Sequence, residues 1–328
     1  PMTGGVILFG RNFKNRAQVT KLIRAIRAVR PNIIISVDHE GGRVQRFKTD
    51  GFAHLPSMRT LGELYTKNPL RALKVASQVG YVLAAELRAV GVDYSYTPVL
   101  DLDYGGSTVI GDRAFASSAT DVAVLAKALL HGMLQAGMVG CGKHFPGHGF
   151  VVADSHVDMP VDTRGLKKIL ADDVLPYAHL AQDLGAVMPA HVIFSQVDKR
   201  PAGFSPRWLG EVLRDQLGFA GAIISDDLSM QGARQIEGQQ LSMRDGVLAA
   251  LQAGCDLALV CNQSLNGGQV LDDVLDGLSE AVVKGWCELN DASELRRRAL
   301  MPSAPAPSWK ALMRSAAYMQ ALEALALV

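Results

Sequence analysis

The sequence carries almost no excess charge of either sign. Its 33 lysines and arginines against 32 aspartates and glutamates leave a formal net charge of +1 over 328 residues. That balance supplies no basic field to hold nucleic acid and no acidic tail; nucleic acid is not expected as a partner, and small uncharged molecules fit better. Cysteine is scarce as well. Cys141, Cys255, Cys261 and Cys287 form no C-x-x-C pair, which excludes a disulfide scaffold and makes a reducing compartment the default expectation. No apolar run reaches the roughly 18–20 residues of a membrane-spanning helix, so no membrane partner is expected. The chain begins at Pro1, and a targeting segment ahead of it would not be visible. A low-complexity stretch of the kind that joins independent domains is also missing.

What is present is a large apolar fraction, 48% hydrophobic against 20% charged, enough for a sizeable core. Short runs of β-forming residues recur at Val6–Phe9, Ile33–Val37, Val92–Leu100, Met138–Cys141, Ala186–Met188, Ala222–Ile224 and Leu257–Val260, and helical periodicity follows each. Val19, Leu22, Ile23, Ile26 and Val29 mark one helix, ending before Pro31. Ser205 as cap, Pro206 at the first helical position and Gly218 as the closing residue bound another, with an apolar face of Trp208, Leu209, Val212, Leu213 and Leu217. Further helices are expected near 70–89, 121–136, 164–184, 241–253 and 265–284. Pro302, Pro305 and Pro307 mark the one candidate break, before a last Ala/Leu-rich helix.

Strands alternating with helices predict a parallel sheet with helices outside it. A single-domain α/β chain of the (β/α)8 TIM-barrel type is expected, spanning 1–300, with 301–328 as a helical tail packed on the barrel. A doubly wound sheet is the competing architecture. The barrel is favoured by where the polar residues fall: Asp38, Asp101, Lys143 with His144, His191, Asp226 and Asn262 each follow a strand. In a barrel the strand C-termini converge on one mouth, whereas a doubly wound sheet brings only some of them together.

The densest motif is Gly140-Cys-Gly-Lys-His-Phe-Pro-Gly-His-Gly149, followed by Asp154-Ser155-His156. Gly137, Gly142 and Lys143 imitate a phosphate loop, but His144 replaces the hydroxyl residue that would bind magnesium. His144, His148, His156 and Asp154 could be metal ligands, although Pro146 and Gly147 break the helix that would put His144 and His148 on one face. A third reading has an aspartate setting the proton affinity of a nearby histidine, as general acid catalysis requires. Asp154-Ser155-His156 is also compatible with an ordinary surface turn.

Two further segments carry acids. Ser225-Asp226-Asp227 ends a buried strand, where neighbouring side chains point to opposite faces, so one carboxylate can reach the pocket while the other caps the next element. A carboxylate there could be a nucleophile or an electrostatic stabiliser of a sugar cation. Asp38-His-Glu-Gly-Gly-Arg-Val-Gln-Arg46 surrounds a glycine pair with acids and arginines. Such groups hydrogen-bond sugar hydroxyls well, and they also make internal ion pairs. Gly111-Asp-Arg-Ala-Phe115 is similar in kind.

In order along the chain, Gly5-Val-Ile-Leu-Phe9 with Arg11-Asn-Phe13, Asp38–Arg46, Gly111–Phe115, Lys143-His-Phe-Pro-Gly-His-Gly149 with Asp154-Ser-His156, and Ser225-Asp-Asp-Leu-Ser-Met230 resemble the bacterial β-N-acetylhexosaminidases of glycoside hydrolase family 3. The resemblance implies a barrel and a cofactor-independent, retaining exo-glycosidase that removes terminal β-linked N-acetylglucosamine. It further implies cytoplasmic peptidoglycan recycling, with N-acetylglucosamine-anhydro-muropeptides as substrates. By the same likeness Asp226 is the expected nucleophile, His156 the general acid/base and Asp154 its dyad partner. Asp38, Arg46, Arg113, Lys143 and His144 are the expected sugar-binding residues, and no metal is expected. Two departures stand out: the family's strand ahead of the Gly4–Phe9 motif is missing from this sequence, and His39 stands where glutamine is common. The alternatives are a metal-dependent hydrolase using His144, His148 and His156, and a non-catalytic amino-sugar-binding barrel.

Overall fold

The computed structural model describes residues 2–152, 159–265, 267–288 and 290–326. Asp154 and His156 lie outside the described residues. The fold is α/β, with two three-stranded parallel sheets as its centre. Gly5–Leu8, Ile34–Val37 and Tyr94–Ser95 form one sheet; Cys141–Phe145, Ala186–Pro189 and Ala222–Ile223 form the other. Parallel bridges from Val99 to Lys143 and from Ile224 to Leu257 extend the series, so strands that follow one another in sequence are neighbours in space.

All of these strands but Gly5–Leu8, of which only Leu8 is buried, are buried on both faces, as parallel strands covered by helices must be. The period of two divides them between two apolar clusters. Ile34, Ala186, Met188, Ala222 and Ile224 join Tyr94, Tyr96 and Cys141 on one face. Ile35, Val37, Val187 and Ile223 point the other way, into the larger core shared with the helices. Among the described residues the arc of strands does not close on itself. Between its ends lies a cavity of about 980 Å³, lined by Val6, Ile34, Tyr94, Ile224, Leu257 and Leu259 among others.

The helices begin where short polar side chains satisfy their first N–H groups. Asn15 caps Arg16–Val29, Asn68 caps Pro69–Ala89, Ser118 caps Ala119–Gln135 and Ser242 caps Met243–Gln252. Pro69–Ala89 and Ala119–Gln135 approach so closely that a Cβ at Gly80 would stand 2.0 Å from the Leu129 carbonyl oxygen, and one at Gly132 1.7 Å from that of Ser77. The Ala316–Leu325 helix also lies against Pro69–Ala89, where the Tyr318 hydroxyl donates to buried Glu86 at 2.6 Å.

Several expectations shift. Of the run Val92–Leu100 only Tyr94–Ser95 is a strand, because Pro98 has no N–H to offer a ladder; pairing resumes at Val99. The strand expected at Met138–Cys141 lies at Cys141–Phe145. Met138 is still tied to the preceding helix through the Met133 carbonyl, and the strand itself carries buried polar side chains that hide it from a search for apolar runs. The expected helix at 164–184 is two short ones, Leu166–Ala171 and Leu175–Leu180, the second with Pro176 in its first turn. Arg207–Gln216 is wound as a π-helix, and Ser205 Oγ accepts from the Trp208 N–H at 3.1 Å.

Candidate active site

The chain stays extended past Val37, so Asp38 and Glu40, two residues apart, share a face, while the buried His39 ring packs edge-on against Phe47. Lys143 arrives from the Cys141–Phe145 strand and bridges both acids, with Nζ 3.0 Å from Asp38 Oδ1 and 2.6 Å from Glu40 Oε1. Arg113 grips Glu40 with two donors, Nε at 3.0 Å and Nη2 at 2.8 Å. Arg46 stands 3.7 Å from Asp38. Arg43, the other arginine of that segment, turns away to Asp112 and the carbonyls of 108–110.

Beside this cluster His144 presents Nδ1 to Asp101 Oδ2 at 2.7 Å. Asp101 is buried and also accepts the backbone N–H groups of His144 and, at 2.6 Å, His148. Burial opposes its ionisation, but the charges and hydrogen bonds of His144 and His148 prevail and hold its pKa below the ordinary value. His144 is therefore fixed through its Nδ1. The His148 ring lies 6.0 Å from that of His144, centroid to centroid, and burial, then the neighbouring His144, lowers its pKa.

The two aspartates after the Ala222–Ile223 strand separate by function of geometry. Asp227 accepts from Ser229 N at 2.9 Å, Ser229 Oγ at 2.7 Å and Cys261 N at 3.0 Å, so both of its oxygens are committed to the turn. Among the described residues Asp226 accepts from the Asp227 N–H at 2.7 Å. Burial raises the pKa of Asp226, but the fields of His144 and His191, that N–H and Lys143 lower it further, and the carboxylate is held ionised. His191 is wholly buried and stacks on Phe204 with ring centroids 5.7 Å apart.

The structure thus gathers Asp38, Arg46, Arg113, Lys143, His144 and Asp226 around one end of the strand arc. Asp154 and His156 fall outside the described residues. Glu40, Asp101 and His191 were not among the expected site residues. Asp101 and His191 carried a signal, since each follows a strand, and Glu40 carried one in its two-residue spacing from Asp38. Among the described residues no group of three or more His, Cys, Asp and Glu side chains could hold a metal ion.

A ring of alternating acids and bases with one ionised carboxylate beside it suits a polar, neutral ligand such as a sugar. Residues 1–294 match the family described as "Glycosyl hydrolase family 3 N terminal domain". The chain belongs to glycoside hydrolase family 3. Among its family 3 relatives is the "Beta-hexosaminidase" of Bordetella avium (strain 197N), 54% identical over 323 residues, which are 98% of this chain and 87% of the relative. The solved structure of NagZ from Neisseria gonorrhoeae in complex with N-trifluoroacetyl-D-glucosamine is similar with a TM-score of 0.88 and 43% identity, covering 98% of this chain and 90% of that one. A glycoside hydrolase family 3 beta-N-acetylglucosaminidase from Paenibacillus sp. str. FPU-7 is 30% identical, with a TM-score of 0.84 over 98% of this chain and 62% of its own. As a family 3 member the chain is a glycoside hydrolase, and among its described residues no helix is long and apolar enough to cross a membrane.

Proposed function

We propose that this family 3 glycoside hydrolase is a retaining exo-β-N-acetylglucosaminidase that works by double displacement. The observation that carries the reading is Asp226: an ionised carboxylate at the end of a buried strand, next to the Lys143 and His144 cluster, with its neighbour Asp227 fully occupied elsewhere. In the first step an Asp226 oxygen bonds to the anomeric carbon as the glycosidic bond breaks, and His156 gives its proton to the departing oxygen. In the second, neutral His156 takes a proton from water, whose oxygen displaces Asp226. Asp154 favours the charged imidazole. These two roles rest on the family resemblance. Asp38, Arg46, Arg113, Lys143 and His144 hold the hydroxyls of the terminal sugar.

The relatives' names support the N-acetyl preference, and the bound N-trifluoroacetyl-D-glucosamine of the gonococcal NagZ supports a glucosamine ring in the site. Peptidoglycan fragments of the anhydro-muropeptide kind are the proposed substrates, and the cytoplasm the proposed location. The proposed architecture is a (β/α)8-type barrel over 1–300 with 301–328 as a tail. The all-parallel arc supports it, as does the cavity between Gly5–Leu8 and Leu257, which lies where one more parallel strand would join the two edges.

The test is covalent trapping. A 5-fluoro N-acetylglucosaminyl fluoride should leave one glycosyl group on the peptide containing Asp226, read by mass spectrometry. Turnover without any adduct, or an adduct elsewhere, overturns the nucleophile assignment; the former favours attack by the substrate's own acetamide.

A further inference from the structure

Lys143 and Arg113 are two cations pressed into one corner of the site, and both are nearly closed off, with 3% and 13% of their side chains exposed. Like charges so placed repel strongly in a low-dielectric setting. What holds them together is Glu40, whose side chain is only 2% exposed. Its Oε1 takes Lys143 Nζ at 2.6 Å and Arg113 Nη2 at 2.8 Å, and its Oε2 takes Arg113 Nε at 3.0 Å. Asp38, by contrast, keeps 25% of its side chain exposed.

We propose that Glu40 is a positioning residue for sugar binding, a buried carboxylate that locks Lys143 and Arg113 into one orientation and leaves Asp38 open to the ligand. The inference rests on the reading of Asp38, Arg113 and Lys143 as sugar-binding groups. Glu40 has no free surface with which to touch a sugar, and it consumes the Nε edge of Arg113. Among the described residues its remaining Nη1 reaches the Val109 carbonyl at a weak 3.4 Å. Without Glu40, Asp38 would be the acid left in direct contact with Lys143. It would be drawn inward, and the site would lose its exposed acceptor. The backbone fixes Glu40 in this role, because the His39–Gly41 strand pairs with Val44–Gln45 and a Cβ at Gly41 would stand 2.4 Å from the Pro56 carbonyl.

The charged and titratable groups that face Lys143 are Asp38 and Glu40, which raise its pKa, and Arg113, which lowers it; Asp226 and Cys141 also lie within its field. Burial acts first and downward, and the two acids outweigh it. Removing Glu40 therefore shifts the loss of the lysine charge toward neutral pH.

The experiment compares Glu40→Gln and Glu40→Asp with the parent on an aryl β-N-acetylglucosaminide across pH 5–10, with thermal melts as a check on folding. Glu40→Gln should raise KM by about tenfold or more, the loss of one charged hydrogen-bonding partner, while kcat changes far less. Glu40→Asp keeps the charge and shortens the reach, so its KM should rise, but by less than that of Glu40→Gln. If the glutamine variant does not fold, the aspartate variant decides alone. A folded variant with the parent's KM, or one whose kcat falls as much as its KM rises, overturns the inference. Lys143→Met and Arg113→Met run in parallel. If they too leave KM unchanged, the sugar-binding reading has failed; if they raise it and the Glu40 variants do not, only the role of Glu40 has.

Discussion

At the scale of single residues, adjacent aspartates acquire different chemistry from the strand they end. Asp226→Asn should lower kcat by at least about 10³-fold while the chain stays folded, since the nucleophile is lost but the amide oxygen can still accept the Asp227 N–H. Asp227→Ala should instead lower stability, by about 1–3 kcal/mol for the unmet Ser229 and Cys261 donors, as read in urea titrations. If the two variants exchange these phenotypes, the assignment is reversed. His156→Ala should slow substrates with poor leaving groups far more than activated aryl glycosides, because only the former need a proton at the departing oxygen. Equal losses on both would remove His156 from the acid role. The division between Asp226 and Asp227 was legible in outline from strand alternation. Which of them the turn would consume was not, because that depends on Ser229 and Cys261, and Cys261 is distant in sequence. Glu40 was legible as an acid beside the glycine pair but not as a separate site residue, because its meaning depends on Arg113 and Lys143, which arrive from other elements.

At the scale of elements, the contact between Pro69–Ala89 and the C-terminal helix holds a titratable group that catalysis does not use. Glu86 is fully buried, and burial raises its pKa to about 7 despite hydrogen bonds from Tyr318 and the Ala53 N–H. A raised value means that the fold prefers the protonated carboxyl. Its contribution is complete below the ordinary carboxylate range near 4.5 and is lost as the pH rises to about 7. Glu86→Gln stays neutral throughout, so the parent should lose up to about 3 kcal/mol relative to this variant across that window. Parallel stability curves for the two proteins would show that Glu86 titrates normally in the fold. Helix positions were the more legible elements: Ser205 was read as a cap, and the spans expected near 70–89, 121–136 and 241–253 lie close to Pro69–Ala89, Ala119–Gln135 and Met243–Gln252. Strands that carry the site were the least legible: Gly142, Lys143 and His144 break the apolar pattern because their strand lines a pocket.

At the scale of the whole molecule, sequence-adjacent parallel strands bring Asp38, Lys143 with His144, and Asp226 from widely separated positions to one end of an arc. Fold class and family were both legible, because strand-helix alternation and a run of ordered motifs extend over most of the chain. Closure of the arc was not, since Gly5–Leu8 and the Leu257 segment are unpaired to each other and face a cavity. The central claim, selective hydrolysis of β-linked N-acetylglucosamine without a metal, can be tested on this chain directly. The measurement is release of the aryl group from an aryl β-N-acetylglucosaminide by purified protein in excess chelator, with the aryl β-glucoside in parallel. Release from the first substrate alone, at a rate the chelator does not change, is the predicted result. No release by folded protein, equal release from both sugars, or activity that vanishes with chelator and returns with zinc would contradict it.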